Sequence, residues 1–382
     1  MIKRLRVKGF KSLYDLDVTF SPLTVLFGAN TSGKSNVLDV IQLLARSVTA
    51  EHIADIFDAP FRGSLLSCFS LGDDGQVAEN AKIEITVDLS VSFSSGSWDL
   101  PYKDVRYALS LGYAPERFPC VLQEALYDIS ENQEKSLLPL LSVDADSTLL
   151  SEFKLMAHLH GALLGDMALP LAVAQEIKSW QIFALEPQSG LRAINEELRP
   201  DANLGPKGEK LASFLYTLKK RNPAQWETFQ KALHLYIPEI TAVEILLNQH
   251  NELELFVIEH DKRISIRLMS DGTLALLGLL AIGSAKKHHG VIAIEEIETG
   301  IDPQKLDWVA RYLEMQADGD RQFIVTTHSP HLLDFLSLES LYLCKKKNGE
   351  TTVFPVSTLP LIQKLDPEES LSDVILSGEL HV

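Results

Sequence analysis

Cysteine is scarce in this chain. Three in 382 residues, Cys68, Cys120 and Cys344, are too few and too scattered for a disulfide framework or a zinc site, and they fit a reducing compartment. Long hydrophobic runs are missing as well. The longest, LALLGLLAIG at 274–283, falls short of the roughly 20 residues that a helix needs to cross a bilayer. The opening MIKRLRVKGF holds no apolar stretch of signal-peptide length. Positive charge is in short supply, with 35 Lys and Arg against 52 Asp and Glu and a net charge of −17, which excludes a protein that coats nucleic acid over its whole surface. Internal repeats, low-complexity tracts and sustained heptads are absent too, so long coiled-coil arms are not expected. These absences leave a soluble, cytoplasmic globular chain with no membrane partner, folded as one large elaborated domain or two. The basic residues gather in three places: Lys3, Arg4, Arg6, Lys8 and Lys11; Lys219 to Arg221; and Lys345 to Lys347. They read as solvated faces and protected strand edges.

What is present is a set of pieces with chemical meaning. In VLFGANTSGKSNVLDVIQLL (25–44), Gly28 is followed after four residues by Gly33, Lys34 and Ser35. A short apolar strand precedes this spacing, and Val37, Leu38, Ile41 and Leu44 follow it at helical intervals. That is a phosphate-binding loop. Glycines let backbone N–H groups close around phosphate oxygens, and the helix N-terminus adds its dipole. Lys34 can reach the terminal phosphates, and the Ser35 hydroxyl can bind Mg²⁺. Far along the chain, VIAIEEIETGID (291–302) brings Glu295 and Glu296 to the end of an apolar strand. Two adjacent carboxylates need a cation between them. In P-loop enzymes a second strand presents such an acid to Mg²⁺, so Glu295 is expected to face the metal through a water and Glu296 to orient or deprotonate the attacking water. A third strand, QFIVTTHSPHLLDF (322–335), ends in His328 within reach of a γ-phosphate. The turn at Ser270, Asp271 and Gly272 opens a very apolar helix and offers a second anion site.

Together, in this order, the pieces resemble the heads of ABC-type ATPases. The likeness is closer to the RecF/SMC/Rad50 branch, and closer still to AAA-family ATPases related to the OLD (overcoming lysogenisation defect) proteins. GFKSL (9–13) looks like the first-strand motif of that branch, which implies that Lys11 and Ser12 approach the nucleotide. GANTSGKSN looks like its phosphate loop, which implies contacts from Gly28, Asn30, Ser32, Gly33, Lys34, Ser35 and Asn36. SDGT (270–273) stands where transporters carry SGGQ, Asp302 matches the aspartate that follows the acid strand, and TTHSP carries the switch histidine. Glu295 in place of aspartate and Ile297 in place of proline depart from the transporter pattern. The resemblance implies ATP and Mg²⁺ as cofactors, Ser35 and Glu295 as metal ligands, and Glu296 and His328 as catalytic groups. It also implies a head-to-tail homodimer on ATP binding, or a higher oligomer, in which Ser270, Asp271 and Gly272 of one copy meet the γ-phosphate held by the other.

The expected architecture is α/β: a P-loop NTPase head of ABC type with an antiparallel β-subdomain and a mainly helical insertion. Residues 1–115 and 239–382 are assigned to the head and 116–238 to the insertion. KIEITVDLSV (82–91) and DVRYALSLGY (104–113) alternate as strands, whereas Leu211, Phe214, Leu215 and Leu218 share one helical face, as do Trp226, Phe229, Leu233 and Tyr236. The 54 residues after His328 are expected to leave no room for the nuclease domain that OLD proteins carry. The leading functional expectation is an ATP-driven dimeric switch that controls a separately encoded nuclease or toxin in defence against phage. The alternative is a DNA-repair or chromosome-maintenance ATPase that clamps DNA directly, and a transporter head is third.

Overall fold

In a computed structural model, the chain is described at residues 1–58, 61–63, 65–72, 75–78, 80–95, 98–112, 119–130, 134–141, 147–148, 150, 168–192, 196–197, 203–285, 290–317, 321–362 and 370–377. It opens with the hairpin β1 (Ile2–Phe10) and β2 (Leu13–Thr19), followed by β3 (Leu23–Phe27) and helix α1 (Lys34–Ser47). Strands β4 (Lys82–Ser95), β5 (Trp98–Gly112), β6 (Cys120–Asp128) and β7 (Lys135–Leu141) come next, then α2 (Ala168–Lys178) and β8 (Gln181–Phe183). The two-residue β9 (Glu196–Glu197) precedes α3 (Leu211–Arg221), α4 (Pro223–Tyr236) and the meander β10 (Ile240–Leu247), β11 (Glu252–Glu259) and β12 (Lys262–Ser265). An alternating run follows: α5 (Asp271–Ser284), β13 (Gly290–Ile294), α6 (Leu306–Gln316), β14 (Arg321–Thr327), α7 (Pro330–Leu333) and β15 (Leu341–Lys347). The hairpin strand β16 (Glu350–Pro355) and α8 (Leu371–Leu376) close it.

Three sheets result. One is antiparallel, in the order β2-β1-β4-β5-β6-β7. A second runs β16-β15-β3-β14-β13-β8, with β15, β3, β14, β13 and β8 mutually parallel. A small third sheet joins β10, β11 and β12, with β9 on β11. Strands β3, β13 and β14 are buried at every residue, as central strands covered on both faces should be, and β14 takes Arg321, Gln322, Thr326 and Thr327 into the interior with it. Alternate residues of one strand enter different cores. Val291 and Ala293 pack with the antiparallel sheet, α1 and α2, whereas Ile292 and Ile294 pack with α3 to α6 and the small sheet.

One expectation needs correction. Within 116–238 the first described elements are strands, not helices: β6 pairs with β5 and β7 with β6, extending the antiparallel sheet, and β8 pairs with β13 in the parallel one. CVLQEALYD (120–128) is rich in good helix formers and has Val121 as its one β-branched residue. Burial of Cys120, Val121, Ala125 and Leu126 against the sheet's inner face overrides that propensity. Helix belongs to the later part, where Leu211, Phe214, Leu215 and Leu218 of α3 and Phe229 and Leu233 of α4 are buried.

Candidate nucleotide site

The carboxyl ends of β3, β13 and β14 lie side by side, with Phe27 opposite Thr327 and Ile294 opposite Val325. Beyond β3 the chain turns at Gly28 (φ 142°) and enters α1 through Gly33 (φ 96°). A side chain at Gly28 would strike the Cys344 carbonyl, and one at Gly33 would strike Thr351, so the loop is threaded through space that only hydrogen atoms fit. Gly33 is the N-cap and supplies no side-chain acceptor, which leaves the first N–H groups of α1 open to an anion. Lys34 is 4% exposed, and its Nζ donates to the Gly28 and Ala29 carbonyls at 2.8 and 3.0 Å. Burial lowers its pKa, while the nearby Glu295, Glu296 and Glu298 oppose that shift. Ser32 Oγ is buried with no hydrogen-bond partner among the described residues, an orphaned group of the kind that a phosphate oxygen satisfies.

The two successive acids part company. The Ser35 hydroxyl donates to Glu295 Oε1. The same oxygen accepts from Arg62 Nη1 at 2.7 Å. Arg62 also donates to Asp39 Oδ1 from Nε at 3.1 Å and from Nη2 at 2.9 Å, and to the Ser35 carbonyl at 3.0 Å. Burial disfavours the Arg62 charge, but Asp39 and Glu295 outweigh it and push the guanidinium pKa up. Glu296 adopts the left-handed region (φ 47°), and its N–H donates to Thr326 Oγ1 at 2.9 Å. That turn aims its carboxylate elsewhere, toward Thr299 Oγ1 at 3.4 Å and His328 Nε2 at 3.7 Å. The His328 N–H donates to Glu298 Oε1 at 2.6 Å. A hydroxyl and a carboxylate oxygen beside a phosphate loop are the hard donors that Mg²⁺ takes from protein, the rest of its shell being water and phosphate oxygens.

Other expected residues have different partners here. Lys11 Nζ is 2.7 Å from Asp39 Oδ2 and stands over the rings of Phe10 and Phe61 at 5.3 and 5.2 Å. Asn36 donates to Ser12 Oγ at 2.7 Å, Ser12 Oγ shares a 2.7 Å bond with Thr351 Oγ1, and Thr351 Oγ1 donates to the Ser32 carbonyl at 3.0 Å. This chain of hydroxyls ties the β1–β2 turn and β16 to the phosphate loop. Asn30 and His328 line a cleft of about 1250 Å³ with Lys345, Lys346 and Lys347. Ser270 caps α5 by accepting from the Thr273 N–H at 3.2 Å. Asp271 is held by Gln188 at 3.0 Å and Arg192 at 2.6 Å, which hold its pKa below the usual carboxylate range. A Cβ at Gly272 would lie 2.8 Å from the Gly300 carbonyl, so this turn presses on the one before Asp302, whose Oδ1 accepts from the Gln304 N–H at 2.9 Å. The chain thus gathers Gly28 to Asn36 with Glu295, Glu296 and His328, and gathers Ser270 to Gly272 with Asp302 in a second group. Sequence reasoning missed Arg62 and Asp39. Asp39 had left a signal, an acid flanked by Val37, Leu38, Val40 and Ile41 in a helix.

Comparison with known proteins gives this geometry its relatives. A family model described as "AAA ATPase domain" matches residues 1–136, and one described as "AAA domain, putative AbiEii toxin, Type IV TA system" matches residues 181–334. The chain is 22% identical over 379 residues to the "OLD nuclease" of Thermus scotoductus, covering 92% of this chain and 63% of that protein, so it spans less than two thirds of that relative's length. Among solved structures, an SMC head bound to the C-winged helix domain of ScpA is similar with a TM-score of 0.58 and 16% identity, covering 92% of this chain and 97% of that one. The SMC head domain with an extended coiled coil bound to the C-terminal domain of ScpA, derived from Pyrococcus furiosus, is similar with a TM-score of 0.50 and 13% identity, covering 99% and 98%. The fold is therefore that of an SMC-head-like P-loop NTPase; two ATPase-domain models match separate parts of the chain, and over most of its length the chain is similar to an OLD nuclease.

Proposed function

We propose that the chain is an ATP-driven switch: two copies close head to tail around ATP, hydrolysis reopens them, and the cycle controls a separate nuclease or toxin in anti-phage defence. The observation that carries the reading is the pairing of Ser35 with Glu295 beside the phosphate loop, with Glu296 and His328 together at 3.7 Å one strand away. Lys34 exchanges the Gly28 and Ala29 carbonyls for phosphate oxygens, and the open N–H groups of α1 hold the rest. Ser35 and Glu295 would hold Mg²⁺, which would supply charge neutralisation to the phosphates. Glu296 orients the attacking water and takes its proton, and His328 steadies the γ-phosphate from the next strand. The second group, Ser270 to Gly272 with Asp302, takes its partners from residues 187–192 and 300–304 rather than from the loop, which supports its use by the facing copy. The effector reading is supported by two likenesses: one relative is a nuclease, and one matching family is described as a putative toxin. The test is the solution mass of Glu296→Gln with and without Mg-ATP. A shift from monomer to dimer is expected, and a mass that Mg-ATP never changes refutes the switch.

A further inference from the structure

One basic cluster of the sequence lies far from the nucleotide. Where β8 and β13 begin, at the end of the parallel sheet opposite the acid pair, a cleft of about 670 Å³ is lined by Lys178, Trp180, Asn203, Thr217, Arg221 and Arg321, among others. Three of its lining residues are cationic, and none is a carboxylate among those described. That is unexpected by chance in a chain with 52 acids and 35 bases. Arg321 is the telling group. It is 6% exposed, yet its guanidinium donates only to neutral acceptors: the Gly283 carbonyl at 2.6 Å, the Ala285 carbonyl, and Gln316 Oε1 at 3.2 Å. Among the described residues no carboxylate forms an ion pair with it, and burial pushes its pKa down. Buried charges are ordinarily paired, and this one faces a cleft whose mouth carries two more cations.

We propose that this cleft is a second anion site, which binds the terminal phosphate of a phosphorylated ligand, a free small molecule or a nucleic-acid end. The volume suits a ligand of nucleotide size. The planar guanidinium forks of Arg221 and Arg321 match phosphate oxygens, and Lys178 adds a point charge. Asn203 and Thr217 offer an amide and a hydroxyl to the body of the ligand, and Trp180, held through Nε1 to Glu176 at 3.5 Å, provides a fixed apolar wall. Attraction of this kind weakens as salt rises.

The test uses a Lys34→Ala protein, in which the phosphate loop is disabled, and inorganic pyrophosphate as the probe in calorimetric titration. One saturable site is expected. Lys178→Ala and Arg221→Ala, both at exposed positions and each first confirmed folded by its melting temperature, should each weaken it about tenfold. Oligonucleotides with a 5′-phosphate or a 5′-hydroxyl, titrated against the same proteins, assign the source. Binding that requires the 5′-phosphate makes the ligand a nucleic-acid end, and binding of pyrophosphate alone makes it a free small molecule. The absence of a saturable site in the Lys34→Ala protein, or equal affinity in the Lys178→Ala/Arg221→Ala double variant, overturns the proposal.

Discussion

Arg62 holds the position that a metal-bound state would contest, and Arg62→Ala tests that. In the nucleotide-free protein the substitution strips one cation from Glu295 and one from Asp39, whose side chain is 4% exposed. Removing one partner of a fully buried ion pair costs about 3–5 kcal/mol. Arg62 is itself 46% exposed, so water screens it, and Lys11 keeps its 2.7 Å contact with Asp39. The discounted cost is about 1.5 kcal/mol. For a chain of 382 residues the unfolding entropy is on the order of 0.8 kcal/mol/K, which converts that cost to a fall of about 2 °C in melting temperature. Binding of Mg²⁺ with a non-hydrolysable ATP analogue should return a cation to Glu295, so the deficit shrinks to the Asp39 share, about half. Scanning calorimetry of both proteins with and without the magnesium complex measures this. An equal deficit in the two conditions, or a larger one with nucleotide, refutes the view that Arg62 and Mg²⁺ answer the same carboxylate.

The remaining predictions concern other parts of the site. Thr351→Val leaves Ser12 Oγ without its 2.7 Å partner and frees the Ser32 carbonyl, so stability should fall by about 1–3 kcal/mol and ATP affinity with it, read by urea unfolding and nucleotide titration. Ser270→Arg should abolish ATP-dependent dimerisation of the Glu296→Gln protein while the monomer's nucleotide affinity stays unchanged, as light scattering and titration will show. Burial raises the Cys68 thiol to about 11 and the Cys344 thiol to about 12, from an ordinary value near 9. A raised folded pKa gives stability that is complete below about pH 9 and is lost as pH climbs toward 11–12. Urea midpoints should therefore decline over that window, and a Cys68→Ala/Cys344→Ala variant should show a shallower decline.

Much of the site was legible because its signals are local. Gly28, Gly33, Lys34 and Ser35 announce themselves within eight residues, between a strand and a helix that the apolar pattern marks. Glu295 and His328 stand at the ends of apolar runs, and β13 and β14 do end there. What escaped depends on contacts across the chain. The bond between Ser12 and Thr351 joins residues 339 apart, and that between Arg62 and Glu295 joins residues 233 apart. The roles expected of Lys11, Ser12 and Asn36 came from resemblance, and in this structure those side chains hold the scaffold around the loop. The strand at 120–128 was misread because its residues favour helix and only its neighbour β5 decides otherwise.

The parallel sheet is a partition between two cores, with Val291 and Ala293 on one side and Ile292 and Ile294 on the other. A strand clamped in this way has no soft direction in which to slide: a shift that loosened one core would crowd the other, and close-packed interiors resist both. Glu295 and Glu296 thus follow directly on a strand that two cores hold in place. Arg62 and the Lys34 side chain, by contrast, are held at the rim by hydrogen bonds to Glu295, Asp39 and the Gly28 and Ala29 carbonyls. The acids stay with the strand, and the cations around them are the groups that a ligand can displace.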